Sequence, residues 1–285
     1  MRDVPRRPTR PRLAPAENPM SSDASFLVSR LRVVDKPVHR LGLSFNFGID
    51  EAGVDEAVER GINYLFWTTA KTGRALPAVR RALRRDRERI VLAAGPSFAF
   101  FGGNVRRGTE RLLRKLGVDH IDVLHLFWLG KMSAWTDDTV DALQRLREEG
   151  KVRAVGASIH DRTRAGRLAR EASALDLLMV RYNAAHPGAE KDIFPHLALR
   201  RPNVVAYTAT RWRKLLTAPR GWTGPVMTAG DCYRFCLSNE DVDVVLTGPS
   251  DAAQLRANLA AVEEGGSLTE EEMGWMRRFG RAVHG

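Results

Sequence analysis

The sequence predicts a (β/α)8 barrel, an α/β fold in which eight parallel strands close into a ring surrounded by helices. Short apolar runs alternate eight times with longer segments whose apolar residues recur at helical spacing. The short runs are almost continuously hydrophobic, which is typical of parallel strands buried on both faces. Eight such units within roughly 220 residues fit a closed barrel better than an open doubly wound sheet.

The chain of 285 residues divides into an arm and one domain. Residues 1–24 are rich in arginine and proline and lack apolar periodicity, so we expect a disordered basic arm. Residues 25–285 form the predicted barrel domain. It begins with a small hairpin or extended cover over residues 26–40, where apolar residues alternate around a polar turn.

The eight predicted strands follow this cover, each with a helical segment behind it. The strands are predicted over residues 41–46, 63–67, 90–94, 121–127, 152–157, 177–181, 204–208 and 242–247. From the second strand onward, the helical segments are predicted over residues 76–84, 105–116, 136–149, 162–171, 190–199, 229–237 and 252–262.

The stretch 61–73 is the clearest of these units. Val54, Ala57 and Val58 recur at helical spacing before Gly61, which is a helix stop signal. A short aromatic and β-branched run follows, and Gly73 closes the polar turn after it. Loops that follow such strands often carry the chemistry of an enzyme, so this loop is a candidate for functional residues.

A final helix is predicted over residues 269–283, beyond the eight units. Ser267 and Glu270 have the spacing of a capping box, in which each side chain bonds the other residue's backbone amide. Acidic residues in the first turn suit the helix dipole.

The formal net charge is +11 and the sequence pI is about 10.3. This charge raises the question of a nucleic-acid or anionic partner. The arginines are scattered over many predicted helices rather than gathered in one block, so solvated helix faces account for the charge better, and we do not expect nucleic-acid binding. The sequence has no apolar run long enough to predict a membrane span.

The two cysteines, Cys232 and Cys236, exclude a disulfide framework and suit a reducing compartment such as the cytoplasm. They lie four residues apart on one helix face, but no nearby histidine or cysteine completes a metal site. We therefore predict two packing cysteines and no metal.

Several segments resemble motifs of the aldo-keto reductase superfamily, in the order in which that family carries them. They are GIN at 61–63, RLLRKLGVDHID at 111–122, EGKVRAVGAS at 149–158, YN at 182–183, VVAY at 204–207 and GPSDAAQLRANL at 248–259. The resemblance implies the barrel fold, NAD(P)H-linked oxidoreduction, and NADP(H) or NAD(H) as cofactor. It leaves the oligomeric state open.

The resemblance also implies four catalytic groups at the carboxyl ends of the strands: Asp, Tyr, Lys and His. In that family the Tyr protonates the carbonyl oxygen as hydride arrives, Lys and Asp lower its pKa, and His orients the substrate. Aligned on the GIN segment, Phe66 stands at the Asp position, Lys71 near the Tyr position, Gly95 at the Lys position and Phe127 at the His position. All four expected groups are replaced.

The residues that the resemblance implies for cofactor binding match the family better than the catalytic positions do. Tyr207 stands where the family stacks a tyrosine on the nicotinamide ring, although core packing is an alternative. Ser158 stands where a serine binds the carboxamide, whereas Ile159 and Met179 replace an Asn and a Gln with the same task.

The phosphate and adenosine end of the cofactor falls on the loop and helix after the eighth strand. The residues implied there are Gly248, Ser250, Gln254 and Asn258. A helix N-terminus after a strand is a natural phosphate site, although an ordinary turn is the alternative. After the seventh strand, Arg211, with Arg213 and Lys214, could add positive charge or form a solvated loop.

Three residues near the predicted mouth could act in place of the missing acid. Lys71 lies in the loop of the replaced Tyr, and a partly desolvated lysine can serve as acid, base or nucleophile. His160 follows Ser158, and His186 lies on the loop after the sixth strand. For each of the three, a solvated or capping surface role is the alternative.

Aromatic residues concentrate near the ends of the second and fourth strands. Phe66, Trp67, Phe127 and Trp128 predict a pocket for an apolar or aromatic small molecule, or else they fill the space of the replaced groups. His125, two residues before Phe127, is expected inside the barrel in a hydrogen-bonded layer.

Three functions remain open from the sequence. The first is a divergent reductase that uses Lys71, His160 or water as acid. The second is a lyase or isomerase acting in the same mouth, and the third is a catalytically silent nucleotide-binding or scaffold protein.

Overall fold

The predicted fold class is confirmed by the computed structural model, which describes residues 26–68 and 72–284. A hairpin of β1 (Val28–Leu31) and β2 (Lys36–His39) precedes the barrel. The barrel strands are β3 (Leu41–Ser44), β4 (Tyr64–Trp67), β5 (Val91–Ala94), β6 (Ile121–Leu126), β7 (Val152–Ile159), β8 (Leu177–Arg181), β9 (Asn203–Tyr207) and β10 (Val244–Thr247). They run parallel and close in chain order, with β10 pairing β3. The predicted arm over residues 1–24 and the candidate acid Lys71 lie outside the described residues.

Helices follow the strands as the alternating pattern predicts. They are α1 (Glu51–Glu59), α2 (Leu76–Arg85), α3 (Gly102–Leu116), α4 (Asp137–Glu148), α5 (Arg162–Glu171), α6 (Ala189–Asp192), α7 (Ala229–Leu237), α8 (Ala252–Gly265) and α9 (Glu270–His284). The helix predicted over residues 190–199 is shorter than expected. It is the single turn α6 and a separate 3-10 turn, Phe194–His196, because Pro195 has no backbone N–H to continue the helical ladder.

The predicted capping box of the last helix, Ser267 with Glu270, is wrong by two residues. The amide of Thr269 donates to the carboxylate of Glu272 at 2.7 Å, and the amide of Glu272 donates to the hydroxyl of Thr269 at 3.2 Å. Both pairs have capping-box spacing in the sequence, and α9 begins at Glu270, so Thr269 is the residue at the helix boundary.

The hairpin covers the amino-terminal end of the barrel and brings a lysine into the interior. The ammonium of Lys36 donates to a carboxylate oxygen of Asp122 at 2.9 Å, and both side chains are buried. Arg87 donates to the other oxygen at 2.7 Å, as does the amide of Leu92 at 2.9 Å. Burial lowers the pKa of Lys36, although Asp122 opposes this shift. This ion pair fastens the hairpin to the start of β6.

Apolar side chains fill both the barrel interior and the layer between strands and helices. Alternate residues of one strand face opposite sides, so Phe66 lies inside while its neighbour Trp67 lies in the outer layer. Cys232 and Cys236 are free thiols buried in that outer layer, as their packing role predicts. Within residues 26–68 and 72–284, no helix is long and apolar enough to cross a bilayer.

Candidate ligand site at the barrel mouth

The carboxyl ends of the eight strands meet at one end of the barrel, here called the mouth, where such barrels carry their functional residues. Its floor is aromatic. Phe66 packs edge-on against the rings of His125 and Phe127, with ring centroids 5.5 and 5.7 Å away, and His125 and Phe127 are stacked at 6.0 Å. These three residues are the aromatic floor. None of them is placed to carry a mobile proton at neutral pH.

His125 lies inside the barrel, as predicted, but its expected hydrogen bond is not found. Neither ring nitrogen has a partner among the described residues, and the side chain is fully buried. Burial lowers the pKa of His125 to about 3, so the ring is neutral at physiological pH. Gly156 makes room for it, since a Cβ there would lie 2.8 Å from the imidazole. The ring therefore acts as a packed aromatic group.

Gly95 lies at the edge of the aromatic floor, immediately after β5. A Cβ at this position would overlap the carbonyl oxygen of His125 and would also lie 3.0 Å from the ring of Phe127. The obstacle is backbone, which cannot move aside as a flexible side chain could. No side chain fits at position 95 without separating β5 from β6.

Trp67 belongs to the wall and does not line the mouth. It is fully buried, with its ring 5.7 Å from that of Phe45 and 5.6 Å from the ammonium of Lys115. Strand alternation explains this position, because Phe66 points into the barrel. Of the four aromatic residues predicted for a pocket, Phe66 and Phe127 form the floor and Trp128 lies on the rim.

Three rings form an arc along one side of the rim. Trp128 lies 5.2 Å from His160, and His160 lies 6.1 Å from Tyr207, between ring centroids. The hydroxyl of Tyr207 and Nε2 of His160 are 3.2 Å apart, within hydrogen-bonding distance. Trp128, His160 and Tyr207 are here called the aromatic arc. They bring together a predicted pocket residue, a predicted acid and the predicted nicotinamide platform.

The predicted carboxamide ligand Ser158 also holds the rim together. Its hydroxyl accepts a hydrogen bond of 2.7 Å from the amide of Trp128. Trp128 has a φ of 49°, a left-handed conformation that bulky residues rarely adopt and that costs on the order of 1 kcal/mol or more. The Ser158 hydroxyl thus stabilises an otherwise unfavourable backbone that presents the Trp128 ring at the rim.

The titration of the rim residues argues against an acid among them. Partial burial and the charge of Arg181 lower the pKa of His160, and burial together with nearby cations lowers that of His186 to about 4. Both imidazoles are therefore neutral at pH 7 and are poor proton donors. Burial raises the pKa of Tyr207 to about 12, far above the range useful for acid catalysis.

His186 lies apart from the aromatic arc, near the end of the chain. Its amide and its Nδ1 both contact the Asn183 side-chain oxygen, at 2.9 and 3.2 Å, and its ring lies edge-on to His284 at 5.0 Å. Arg211 is also directed to α9, since its guanidinium donates to the carbonyl of Val283. The loop around Arg211 contains further left-handed residues, Trp212 and Arg213.

The predicted phosphate end, after β10, is built around a carboxylate. Asp251 caps α8: its side chain accepts from the amide of Gln254 at 2.8 Å and from the hydroxyl of Ser250 at 2.8 Å. The nearby Arg256 is already bonded to Glu56 at 2.7 Å. The N-terminus of α8 therefore has a fixed negative charge and no unpaired cation among these residues.

The two other residues predicted for this end face protein atoms. Gly248 lies under the exposed ring of Phe47, which a Cβ at Gly248 would overlap. Asn258 is buried, and its amide donates to the hydroxyl of Thr247 at 3.0 Å. Their cofactor roles stay predictions.

One mouth residue was missed from the sequence. Arg181 ends β8 in register with Tyr207, and alternation from Met179 directs its side chain to the barrel interior. The strand pattern contained this signal, because every second residue from Leu177 faces inward. In the described part of the chain, no three His, Cys, Asp or Glu side chains come together as a metal site.

Comparison with known proteins agrees with the family resemblance of the sequence. The aldo/keto reductase family model matches residues 46–212. L-galactose dehydrogenase of Arabidopsis thaliana is 23% identical over 261 aligned residues, which cover 76% of this chain and 79% of that protein. The uncharacterized oxidoreductase YqkF of Bacillus subtilis is 30% identical over 119 residues, or 37% of this chain and 38% of that one.

Solved structures agree in fold. Aldo-keto reductase AKR11C1 from Bacillus halodurans superposes with a TM-score of 0.75 in its holo form, at 24% identity, and 0.73 in its apo form, at 25% identity. Each match covers 90% of this chain and 96% of that protein.

Proposed function

Since this chain belongs to the aldo/keto reductase family, we propose that its mouth binds a nicotinamide dinucleotide but carries, among the residues that the structure describes, no side-chain acid for carbonyl reduction. The aromatic floor is the observation that carries the proposal. Phe66 and Phe127 fill the positions where the family resemblance implies Asp and His, and they pack on each other at 5.7 Å. Gly95 leaves no room for the implied Lys.

The residues implied for the nicotinamide end of the cofactor suit their task better than those implied for the adenosine end. The half-buried ring of Tyr207 and the hydroxyl of Ser158 both lie at the rim, on β9 and at the end of β7. The resemblance implies these two residues for ring stacking and carboxamide binding. When bound, a reduced nicotinamide would supply hydride. The chain's own contribution would be to orient that ring, while the floor would exclude water beneath it.

A divergent reductase with His160 or His186 as acid is less well supported. A general acid works best with a pKa near the operating pH, whereas both histidines have lowered pKa values. No contact in the described mouth favours a lyase or isomerase. We therefore propose a dinucleotide-binding barrel without Tyr-type acid catalysis. Its test combines NADH titration with an aldehyde assay.

We expect Tyr207→Ala to weaken NADH binding by about 1 kcal/mol or more, because an aromatic stacking face is removed. Tyr207→Phe is the matched control: it keeps the ring and loses only the hydroxyl contact with His160. Titration of nicotinamide fluorescence measures both. Equal affinity of Tyr207→Ala and the wild type would mean that the ring is a packing residue or that the dinucleotide binds elsewhere.

We expect NADH to bind more tightly than NADPH. If the adenosine end lies at the N-terminus of α8, the extra phosphate of NADPH comes close to the carboxylate of Asp251. Like charges repel, so the carboxylate should make NADPH the weaker ligand of the two.

Asp251→Asn tests this preference without removing the helix cap, because asparagine caps as well as aspartate. In the same titration, the variant should show a smaller difference in affinity between NADH and NADPH. Tighter binding of NADPH by the wild type would contradict the assignment of Asp251 to the adenosine end.

A further inference from the structure

Arg181 is the basis of an inference about what else the mouth binds. It is the last residue of β8, and Leu177 and Met179 of the same strand belong to the apolar cluster inside the barrel. Strand alternation directs Arg181 to that same side, at the mouth. Its Cα is in register with Tyr207, and its side chain is half-buried. The guanidinium therefore lies beside the aromatic arc.

This guanidinium has no partner in the part of the chain that the structure describes: it makes neither a hydrogen bond nor an ion pair there. The two carboxylates that follow Arg181 in the sequence are already bonded to other arginines. Asp192 accepts from Arg162 at 2.7 Å, and Glu190 accepts from Arg277 at 2.8 Å. A charge partly withdrawn from water without a counter-charge is unfavourable, so an anion at this place would be stabilised.

Two other cations and one imidazole of the mouth differ from Arg181 in this respect. Arg162 has its carboxylate, and Arg211 donates to a backbone carbonyl. His160 contacts the Tyr207 hydroxyl. The charge of Arg181 also helps to keep both mouth histidines neutral. Arg181 is thus a half-buried cation of the mouth whose donors remain available within the described residues.

The rim beside Arg181 offers a flat apolar surface. Trp128 is 43% exposed although its backbone is held in a strained conformation by Ser158. Strain that persists against its cost is found most often at functional sites. A ligand that reaches both groups needs an anionic end and a planar end.

We propose that the mouth binds a small molecule in which a carboxylate or phosphate ester is attached to a planar apolar group. Arg181 holds the anion, since a guanidinium presents paired donors that match two oxygens of such a group. Trp128 packs on the planar part. This proposal deepens the proposed function, because it names the ligand class of the same mouth.

The dinucleotide's own phosphates are a second source of the same anionic chemistry. The experiment therefore measures two ligands separately. Calorimetry titrates the wild type and three variants with NADH. It also titrates them with phenylacetate, phenyl phosphate and the uncharged 2-phenylacetamide, each in the presence and absence of NADH. Arg181→Met removes the charge, Arg181→Lys keeps it without the paired donors, and Arg84→Met is the control. Arg84 is an exposed arginine of α2 that makes no ion pair with any described residue.

We expect phenylacetate or phenyl phosphate to bind the wild type, and 2-phenylacetamide to bind at least about tenfold more weakly. Arg181→Met should lose a similar factor in its affinity for the anions and little of its affinity for NADH. Arg181→Lys should retain part of the preference for the anions over 2-phenylacetamide, and Arg84→Met should retain all of it. Thermal melts check that each variant is folded.

Three results would overturn the proposal. They are equal binding of anion and amide by the wild type, undiminished anion binding by folded Arg181→Met, and a loss confined to NADH, which would assign Arg181 to the dinucleotide. Absence of NADH binding with the anion preference intact would remove the proposed function and support this inference on its own.

Discussion

Replacing Gly95 by lysine should destabilise the barrel by about 3 kcal/mol or more and should restore no carbonyl reduction. Added volume in a packed core typically costs about 1–3 kcal/mol, and here the obstacle is the backbone carbonyl of His125. Even Gly95→Ala should show most of this loss in urea unfolding, because the overlap begins at the Cβ. The lysine therefore cannot be returned to its implied place by one substitution.

Gly73→Ala is the matched control, since a Cβ at Gly73 meets no heavy atom of the described residues within 4 Å and its φ is not positive. It should change the free energy of unfolding little. A Gly95→Lys protein as stable as the wild type, with measurable aldehyde reduction, would mean that β5 and β6 separate easily. In that case a single substitution would be enough to give the aromatic floor a catalytic lysine.

Replacing Asp122 by asparagine should cost about 3–5 kcal/mol of unfolding free energy, because it leaves the buried charge of Lys36 without its partner. The pair joins the hairpin to β6, and Arg87 contacts the same carboxylate at 2.7 Å. Chemical denaturation followed by circular dichroism measures the effect.

Asp55→Asn provides the comparison at an exposed ion pair. Asp55 contacts Arg81 at 2.7 Å with both side chains well exposed, and such pairs contribute little to stability because solvent screens them. Similar losses in the two variants would show that the Lys36–Asp122 pair is not desolvated. The NADH affinity of folded Asp122→Asn should be unchanged, since the pair lies at the opposite end of the barrel from the mouth.

Much of the fold could be predicted from the sequence because buried parallel strands are apolar on both faces. The predicted bounds 162–171, 177–181 and 229–237 agree with α5, β8 and α7. Errors occurred where two local signals compete. Thr269 and Ser267 both precede a glutamate at capping-box spacing, and Pro195 interrupts a segment that otherwise has a helical pattern.

The candidate site was less predictable because its properties depend on residues far apart in the sequence. That Gly95 presses on the backbone of His125 follows from the spacing of two strands. That Arg181 lacks a counter-ion among the described residues reflects the pairing of Asp192 with Arg162 and of Glu190 with Arg277. Local sequence gives each residue type but not these pairings. The inward direction of Arg181 was the exception, since strand alternation alone predicts it.

The central claim is that the mouth binds a nicotinamide dinucleotide and that its described residues supply no effective acid. The most direct test mixes wild-type protein with saturating NADH and a panel of aromatic and aliphatic aldehydes, after fluorescence titration has established binding. We predict saturable binding and no loss of reduced-nicotinamide absorbance above the protein-free control. Turnover at about 1 s⁻¹ or faster, within the ordinary range of enzymes, would contradict the claim.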